Sequence, residues 1–189
     1  MNNRKRHTNF FKIIMLIFCV IILFVGSFLC IFASFYPIKY KSIIEDNCDR
    51  YNVDYSLVFA ICNAESGFVA TKTSPKGAMG LMQIMPSTAV FIASELGYEN
   101  FSVESLYSPE INIQFGVYYL SYLSKKFDTT QQVICAYNAG ETAVRNWLSN
   151  KEYSLDGIYL NTIPYPETRI YLSKVEKNMK IYKKIVQKV

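Results

Sequence analysis

One carboxylate in this chain follows an apolar run, where carboxylates are uncommon. Glu65 comes directly after residues 57–64, which are typical of a buried helix, and Gly67 can end that helix. Apolar surroundings disfavour the charged form of a carboxyl group, so its pKa rises and it can hold a proton near neutral pH. Glu65 is therefore a candidate general acid. The alternative is a helix-terminal glutamate that faces water, which is the commoner situation for an arbitrary Glu.

The other reactive residue types limit the chemistry further. The single histidine, His7, precedes the long apolar segment of the chain, so residues 37–189 contain none. This part of the chain therefore has no His-ligated metal site and no Ser–His or Cys–His pair. Three of the five cysteines, Cys48, Cys62 and Cys135, fall in it; the odd number excludes a complete disulfide framework, although one bridge stays open. We expect catalysis by carboxyl, hydroxyl, amide or tyrosine groups, with no cofactor and no metal.

The elements that position these residues are predicted to be helices, with an irregular segment at residues 68–80 and another at 150–164. No convincing strand and no repeat is present, which predicts a single all-α domain. The predicted helices are 38–50, one from the Asp54 cap to Glu65–Gly67, Pro86–Leu96, one from the Ser108 cap to Lys126, one from a Thr129 or Thr130 cap to Gly140, a short one around Val144–Leu148, and one from Pro166 to the end.

The N-terminal part predicts a membrane anchor. Residues 13–36 carry no formal charge, and 24 such residues are enough to cross ~30 Å of hydrocarbon as a helix. Four basic residues precede them, so the positive-inside rule places residues 1–12 in the cytoplasm and the domain of residues 37–189 outside. A cleaved signal peptide is the competing interpretation. We favour an uncleaved single-pass anchor because the apolar core exceeds the ~7–15 residues of a signal peptide.

The charge balance argues against a nucleic-acid partner. The chain has a formal net charge of +5, and the four basic residues before the apolar segment leave +1 for residues 37–189. A nearly neutral domain has no strong field for a polyanion. The basic cluster at residues 174–188 is interpreted as the solvated face of a terminal helix.

Four segments together identify a family. They are Glu65-Ser66, the run from Ser74 to Pro86 (SPKGAMGLMQIMP), the run from Ala136 to Gly140 (AYNAG), and the run from Ile163 to Tyr171 (IPYPETRIY). In this order they resemble the lytic transglycosylases of the soluble-lytic-transglycosylase type, which share the goose-type lysozyme fold. The resemblance covers residues 40–180, approximately, and implies a lysozyme-like all-α domain with a substrate groove.

The resemblance also implies an activity and a set of site residues. It implies cleavage of the β-1,4 bond between N-acetylmuramic acid and N-acetylglucosamine, with 1,6-anhydromuramoyl ends as product and Glu65 as the single acid/base. The implied partners are the membrane and peptidoglycan glycan strands, so the domain outside the membrane would face the cell wall, and we expect a monomer. The residues implied to order the site or contact the sugar are Ser66, Ser74, Met82, Gln83, Tyr137, Asn138, Tyr165, Glu167 and Tyr171.

Two other functions stay open at this point. A muramidase on the same fold would use water and would need a second acid or an ordered water opposite Glu65. A non-catalytic wall-binding protein would keep the groove and lack turnover. Each supporting residue also has a structural alternative: Tyr137 could be a core aromatic residue, and Glu167 could serve only the dipole of the terminal helix.

Overall fold

A computed structural model describes the backbone of residues 2–186 and the side chains of residues 15–186. The chain divides between Pro37 and Ile38 into two compact units. The first unit is helix α1, Asn2–Phe35. Its segment Met15–Phe35 has a mean hydropathy of 3.0 and is long and apolar enough to cross a membrane, by length and composition. None of this segment is buried within the protein.

The second unit is built from helices, which confirms the all-α prediction. Over residues 38–186 the structure contains no strand, only the isolated antiparallel bridges Thr73–Met79 and Met79–Ile84. A short 3₁₀ helix spans Val103–Tyr107. The α-helices are α2 (Lys41–Tyr51), α3 (Tyr55–Glu65), α4 (Pro86–Glu95), α5 (Pro109–Ser124), α6 (Thr130–Ala139), α7 (Glu141–Leu148) and α8 (Pro166–Val186).

Capping residues fix where the helices start. The carboxylate of Asp54 accepts a hydrogen bond from the backbone N–H of Ser56 at 2.7 Å, so the predicted cap of α3 is confirmed. Of the two threonines considered for α6, Thr129 is the cap, and with Gln132 it forms a reciprocal capping box. Each cap satisfies backbone donors that the first helical turn leaves without a partner.

One helix start differs from the sequence prediction. Helix α2 begins at Lys41 rather than residue 38, because Tyr40 adopts a left-handed conformation with φ of 57° that cannot continue into a helix. Helix α5 starts where it was predicted, with Ser108 at the cap position, but the Ser108 hydroxyl donates to Glu110 at 2.6 Å instead of accepting from the backbone. The 3₁₀ helix was not predicted, because five residues are too few for a periodic pattern to be visible.

Helix α3 lies in the core of this unit, packed between α2 and α8. Seven consecutive residues of α3, Ser56–Cys62, are buried, which explains why its sequence lacks a polar face. The ring of Phe59 stacks on that of Tyr182 from α8 with centroids 5.3 Å apart. Burying a large apolar side chain of this kind contributes about 1.5–3 kcal/mol. The end of α3, and hence Glu65, is thereby held by the buried core of the domain.

The three cysteines of this unit are buried and unbridged. Cys48, Cys62 and Cys135 pack as small apolar side chains, and burial raises the pKa of Cys48 and of Cys135 to about 12. Thiols with such pKa values carry almost no thiolate near neutral pH, so they are inert as nucleophiles.

Candidate active site

Glu65 is the last residue of α3, and the backbone that follows turns sharply away from the helix axis. Gly67 (φ 62°) and Phe68 (φ 64°) are both left-handed. Glycine adopts this conformation readily, whereas phenylalanine does so at a cost. The Phe68 ring is 2% exposed and packs against Phe59 and Tyr182, with centroid distances of 6.0 Å and 6.4 Å, and this burial offsets the strain. The turn leaves Glu65 at the wall of a cavity rather than inside the core.

The surroundings of Glu65 shift its acidity toward neutral pH. Burial raises the pKa of Glu65 from 4.5 to about 6. The hydroxyl of Tyr171 and the ammonium groups of Lys72 and Lys174 lower the pKa, and the carboxylate of Glu167 raises it by a smaller amount. Desolvation therefore outweighs the two nearby cations. The result is a carboxyl group that exchanges its proton near neutral pH, which suits a group acting as acid and then as base.

Two lysines hold the C-terminal end of α3. The ammonium group of Lys72 donates to the backbone carbonyl of Glu65, and that of Lys174, on α8, donates to the carbonyl of Ala64 at 2.7 Å. The last carbonyls of a helix have no partner within it, and they form the negative end of its dipole. The two lysines satisfy these carbonyls and bring positive charge near the carboxyl group.

The loop that faces Glu65 is fixed by one buried asparagine. The side-chain amide of Asn112, on α5, donates to the carbonyls of Met79 and Leu106 at 2.9 Å and 2.8 Å, and its oxygen accepts from the N–H of Met82 at 2.8 Å. Gly80 passes so close that an added Cβ would lie 2.0 Å from the Asn112 amide nitrogen. Only glycine fits there, and its φ of 81° requires glycine for a second reason.

Gln83 and Ser74 shape the rim of this loop. Gln83 adopts a left-handed conformation (φ 50°), and its amide donates to the carbonyls of Gly80 and Lys72 at 2.9 Å and 3.1 Å. The hydroxyl of Ser74 accepts from the N–H of Ala78 at 2.9 Å. Both side chains therefore brace the loop, and both also line the cavity that contains Glu65.

Helices α6 and α8 supply the opposite wall. The hydroxyl of Tyr137 donates to the carbonyl of Met82 at 2.9 Å, which ties α6 to the loop. Burial, with the charge of Glu65 as the next cause, raises the pKa of Tyr137 well above 10, so its hydroxyl stays protonated as a donor. The side-chain oxygen of Asn138 accepts from the Thr168 hydroxyl at 2.8 Å, which orients the Asn138 amide.

These walls enclose a cavity of about 320 Å³ with Glu65 at its surface. At its rim the ammonium group of Lys76 lies 3.2 Å from the carboxylate of Glu167, and both side chains are largely exposed. The cavity is lined by Glu65, Ser74, Pro75, Lys76, Ala78, Gln83, Met85, Tyr137, Asn138 and Glu167.

Six of the ten residues expected at the site line this cavity: Glu65, Ser74, Gln83, Tyr137, Asn138 and Glu167. The other four lie elsewhere. Ser66 is buried and donates to the carbonyl of Leu81 at 2.7 Å. Met82 was expected in the groove, but it is 0% exposed with its side chain against Gly116, because the loop turns it into the core. Tyr165 is exposed and does not line the cavity; its ring packs against that of Trp147, with centroids 5.0 Å apart.

Tyr171 takes a different position from the one expected. Its side chain is 9% exposed and lies beside Glu65 rather than along the cleft, and among the side chains that the structure describes its buried hydroxyl has no hydrogen-bond partner at normal geometry. Desolvation, followed by the charge of Glu65, raises the pKa of Tyr171 well above 10, so the hydroxyl is a permanent donor. This donor favours the charged form of the Glu65 carboxyl.

Sequence reasoning missed several residues that build the site. Asn112 had a visible signal, because it is a polar residue directly between two apolar ones, Ile111 and Ile113. Lys72, Lys76 and Lys174 had none, since exposed lysines occur throughout the chain and only the fold brings these three to Glu65 and Glu167.

The arrangement can transfer a proton and hold a polar ligand. One carboxyl group with a pKa of about 6 faces the cavity, and amide, hydroxyl and carboxylate groups surround it. Within the part of the chain that the structure describes, no group of three or more His, Cys, Asp or Glu side chains is placed to hold a metal ion. The fold and the site together define a helical domain of the lysozyme-like class, with an acid at the end of its central helix.

Comparison with known proteins identifies the family within this fold class. The family model of the transglycosylase SLT domain matches residues 42–159, and the chain belongs to this family. It is 34% identical over 143 residues to the soluble lytic murein transglycosylase of Escherichia coli (strain K12), covering 74% of this chain and 22% of that protein. It is 35% identical over 170 residues to the membrane-bound lytic murein transglycosylase C of Edwardsiella ictaluri, covering 78% of this chain and 47% of that protein.

The fold agrees with solved structures. The 70-kDa soluble lytic transglycosylase of Escherichia coli superposes with a TM-score of 0.70 at 31% identity, over 80% of this chain and 25% of that chain. The complex of the 70-kDa soluble lytic transglycosylase with bulgecin A gives a TM-score of 0.71, with the same coverage. The lysozyme-like prediction is thereby confirmed. The chain spans less than half the length of the curated relatives it matches.

Proposed function

We propose that this chain is a membrane-anchored lytic transglycosylase of peptidoglycan, in which Glu65 is the single acid/base. The observation that carries the proposal is the half-buried Glu65 carboxyl, with a pKa of about 6, in a cavity that is also lined by five of the other residues expected at the site. Membership in the SLT family supports the reaction class, and a relative called soluble lytic murein transglycosylase supports the substrate.

The proposed reaction uses Glu65 twice. Protonated Glu65 gives its proton to the oxygen that links N-acetylmuramic acid to N-acetylglucosamine, and that bond breaks. The substrate's own 2-acetamido oxygen stabilises the cation that develops at C1. The Glu65 carboxylate then removes the proton of the C6 hydroxyl, whose oxygen bonds to C1 and closes the 1,6-anhydro ring. No water is consumed, and a pKa near the working pH serves both steps.

The scarcity of acidic residues around the cavity favours this reaction over hydrolysis. A hydrolytic enzyme uses a second carboxylate to activate water or to act as nucleophile. Between Glu65 and Glu95 the sequence has no Asp or Glu, so the loop that faces the catalytic group supplies none. The one other carboxylate in the cavity lining belongs to Glu167, which is exposed and paired with Lys76.

The neighbouring side chains have separate proposed tasks. Ser74, Gln83 and Asn138 present hydroxyl and amide groups to the sugar from the two walls of the cavity. Tyr137 holds the loop through the Met82 carbonyl. Tyr171 donates to the Glu65 carboxylate once the proton has left, because its hydroxyl lies beside Glu65 and has no other hydrogen-bond partner at normal geometry among the described residues. Ser66 and Met82 are buried, and they support the groove from the interior of the domain.

We also propose that α1 is an uncleaved anchor, with residues 1–12 in the cytoplasm and the catalytic domain on the wall side as a monomer. Its support is the apolar segment Met15–Phe35 and the membrane-bound relatives. Membrane fractionation and protease accessibility of tags at the two ends test this. An intact chain in the membrane fraction, with the C-terminal tag reachable only from outside, is expected. Recovery of a chain shortened at its N-terminus would contradict the anchor.

Digestion of purified cell walls tests the reaction. Mass spectrometry should detect muropeptides with 1,6-anhydromuramoyl ends, each lighter by one water than the hydrolytic product. Glu65→Gln should abolish their release, while the matched control Glu99→Gln, at an exposed glutamate outside the cavity, should release them at the wild-type rate. Hydrated ends alone would establish a muramidase, and undiminished lysis by Glu65→Gln would show that another group is the acid.

A further inference from the structure

Helices α3 and α8 are joined by a pair of asparagine side chains that the proposed reaction does not use. Asn63 lies on α3, two residues before Glu65, and its side-chain oxygen accepts from the amide of Asn178, on α8, at 3.2 Å. The Asn63 amide in turn donates to the hydroxyl of Tyr182 at 2.9 Å. Asn63 is half-buried, whereas Asn178 and Tyr182 are buried. Neither asparagine belongs to the four family segments, and neither lines the Glu65 cavity.

Burial of an amide at position 178 has a cost that an apolar residue would avoid. Other buried residues of α8, such as Leu172, Val175 and Val186, are apolar. An amide placed among them gives up its bonds to water, and only a partner at the same height on the facing helix offsets that loss. Apolar side chains have no such requirement. A buried amide in a helix–helix contact therefore selects one register, as it does in coiled coils.

Two contacts on either side of Asn178 define how α8 runs along α3. Lys174 donates to the carbonyl of Ala64, at the end of α3, and Tyr182 stacks on Phe59, which lies earlier in α3. The two helices are therefore antiparallel. Asn178 lies about one helical turn from each of these contacts, so the amide pair is part of the same row of interactions.

The register of α8 determines which of its groups reach Glu65. Lys174 and Tyr171 lie about one and two turns before Asn178, and the ammonium group of the first and the hydroxyl of the second both lower the pKa of Glu65. A slide of α8 by one turn would carry both groups about 5.4 Å along the helix axis. A hydrogen bond requires a separation of about 3 Å, so neither group would keep its place at Glu65.

We propose that the asparagine pair fixes the register of α8 on α3, and so positions the Tyr171 hydroxyl and the Lys174 ammonium at Glu65. The pair is uncharged and lies outside the cavity, so it acts on the reaction only through these two groups. Asn63 and Asn178 are positioning residues in this sense. The inference rests on the proposed function, because positioning of Glu65 matters for turnover only if Glu65 is the acid/base.

The other groups that face Glu65 set the direction of the expected effect. Lys72 approaches from the loop, Tyr137 from α6, and Cys62 lies within α3 itself, so none of them depends on the position of α8. Glu167 is on α8, but it raises the pKa of Glu65 by less than the hydroxyl and the ammonium group of the same helix lower it. Loss of the register should therefore raise the pKa of Glu65.

The test replaces Asn178 by leucine, which has a similar size but cannot bond to Asn63. With full-length protein in detergent acting on cell walls, the alkaline fall of the kcat–pH profile should move up by about one pH unit, the value of one hydrogen bond to a charged group. Asn63→Leu removes the other half of the pair at a half-buried position, so it should fold and produce the same shift.

Val175→Ala is the matched control. Val175 is fully buried on α8 between Lys174 and Asn178, so its truncation should lower the Tm by opening a small cavity. Because the asparagine pair is intact in this variant, its kcat–pH profile should coincide with that of the wild type. A merely structural role of Asn178 would give the opposite pattern, with a lower Tm and an unmoved profile in Asn178→Leu.

A measurement without turnover separates this inference from the proposed reaction. Glu65→Gln should raise the Tm at alkaline pH, and by more in the Asn178→Leu background than in the wild type, because a higher pKa in the folded state means a larger loss of stability on ionisation. That result supports the positioning role even if the protein releases no anhydro product. An unmoved profile with an unchanged Tm gain in both asparagine variants, or an equal shift in Val175→Ala, would overturn the inference.

Discussion

Replacing Glu65 by glutamine should stabilise the protein at alkaline pH while removing its activity. Burial raises the pKa of Glu65 from 4.5 to about 6, so the folded state favours the protonated form. One pKa unit is worth about 1.36 kcal/mol, so the folded state loses about 2 kcal/mol relative to a neutral side chain once Glu65 is ionised. Glutamine has nearly the same shape and stays neutral, so it avoids this loss.

The sign of the effect follows from proton linkage. Below pH 4.5 the carboxyl is protonated in both the folded and the unfolded state, and Glu65→Gln should change the melting temperature little. As the pH rises from 4.5 through about 6, the wild-type protein loses stability that the variant keeps. For a domain of this size a difference of about 2 kcal/mol corresponds to about 4–8 °C in Tm.

Thermal melts of the full-length protein in detergent, at a series of pH values from acidic to alkaline, measure this difference. Glu99→Gln is the matched control, because Glu99 is exposed, and its melting temperature should follow the wild type at every pH. A Glu65→Gln variant that is no more stable than the wild type at alkaline pH would refute the claim that burial dominates the acidity of Glu65.

Three further predictions concern the surroundings of Glu65. Lys174→Met removes a cation that lowers the pKa of Glu65, so the alkaline fall of the kcat–pH profile should move to higher pH, and an unmoved profile would contradict this role. Asn112→Ala leaves three buried backbone groups without their partner, at about 1–3 kcal/mol each, so its Tm should drop well below that of the wild type. Lys76→Ala breaks only the exposed pair with Glu167, worth about 0–1 kcal/mol, so its Tm should stay close to wild type, and a large drop would mean that the pair is not exposed in solution.

Local sequence signals predicted most helix boundaries. Asp54 and Thr129 cap their helices through short contacts within a few residues, and Pro86 and Pro109 stand at the first positions of α4 and α5. Such signals are readable because both partners are close in the sequence. The all-α class followed from the helical spacing of apolar residues.

Local sequence signals could not predict which way the side chains of residues 68–85 point, because this loop is irregular. Met82 was expected in the groove and lies in the core, because the partners of this loop, Asn112 and Gly116, lie 30 or more residues later in the chain. A pattern of residue types contains no information on which side of an irregular loop faces a distant helix. The position of Tyr165 was predicted wrongly for the same reason. The ring that it packs against belongs to Trp147, and an irregular segment separates the two residues in the sequence.

The sequence by itself determined that residues 37–189 contain no histidine, that a carboxylate ends an apolar helix, and that four segments match one family. These are matters of residue type and order. The tertiary structure alone decided how acidic that carboxylate is and what surrounds it. The pKa of about 6 results from burial opposed by Tyr171, Lys72 and Lys174, which come from a loop and from α8. Desolvation and charge act through space, so their balance exists only once the chain has folded.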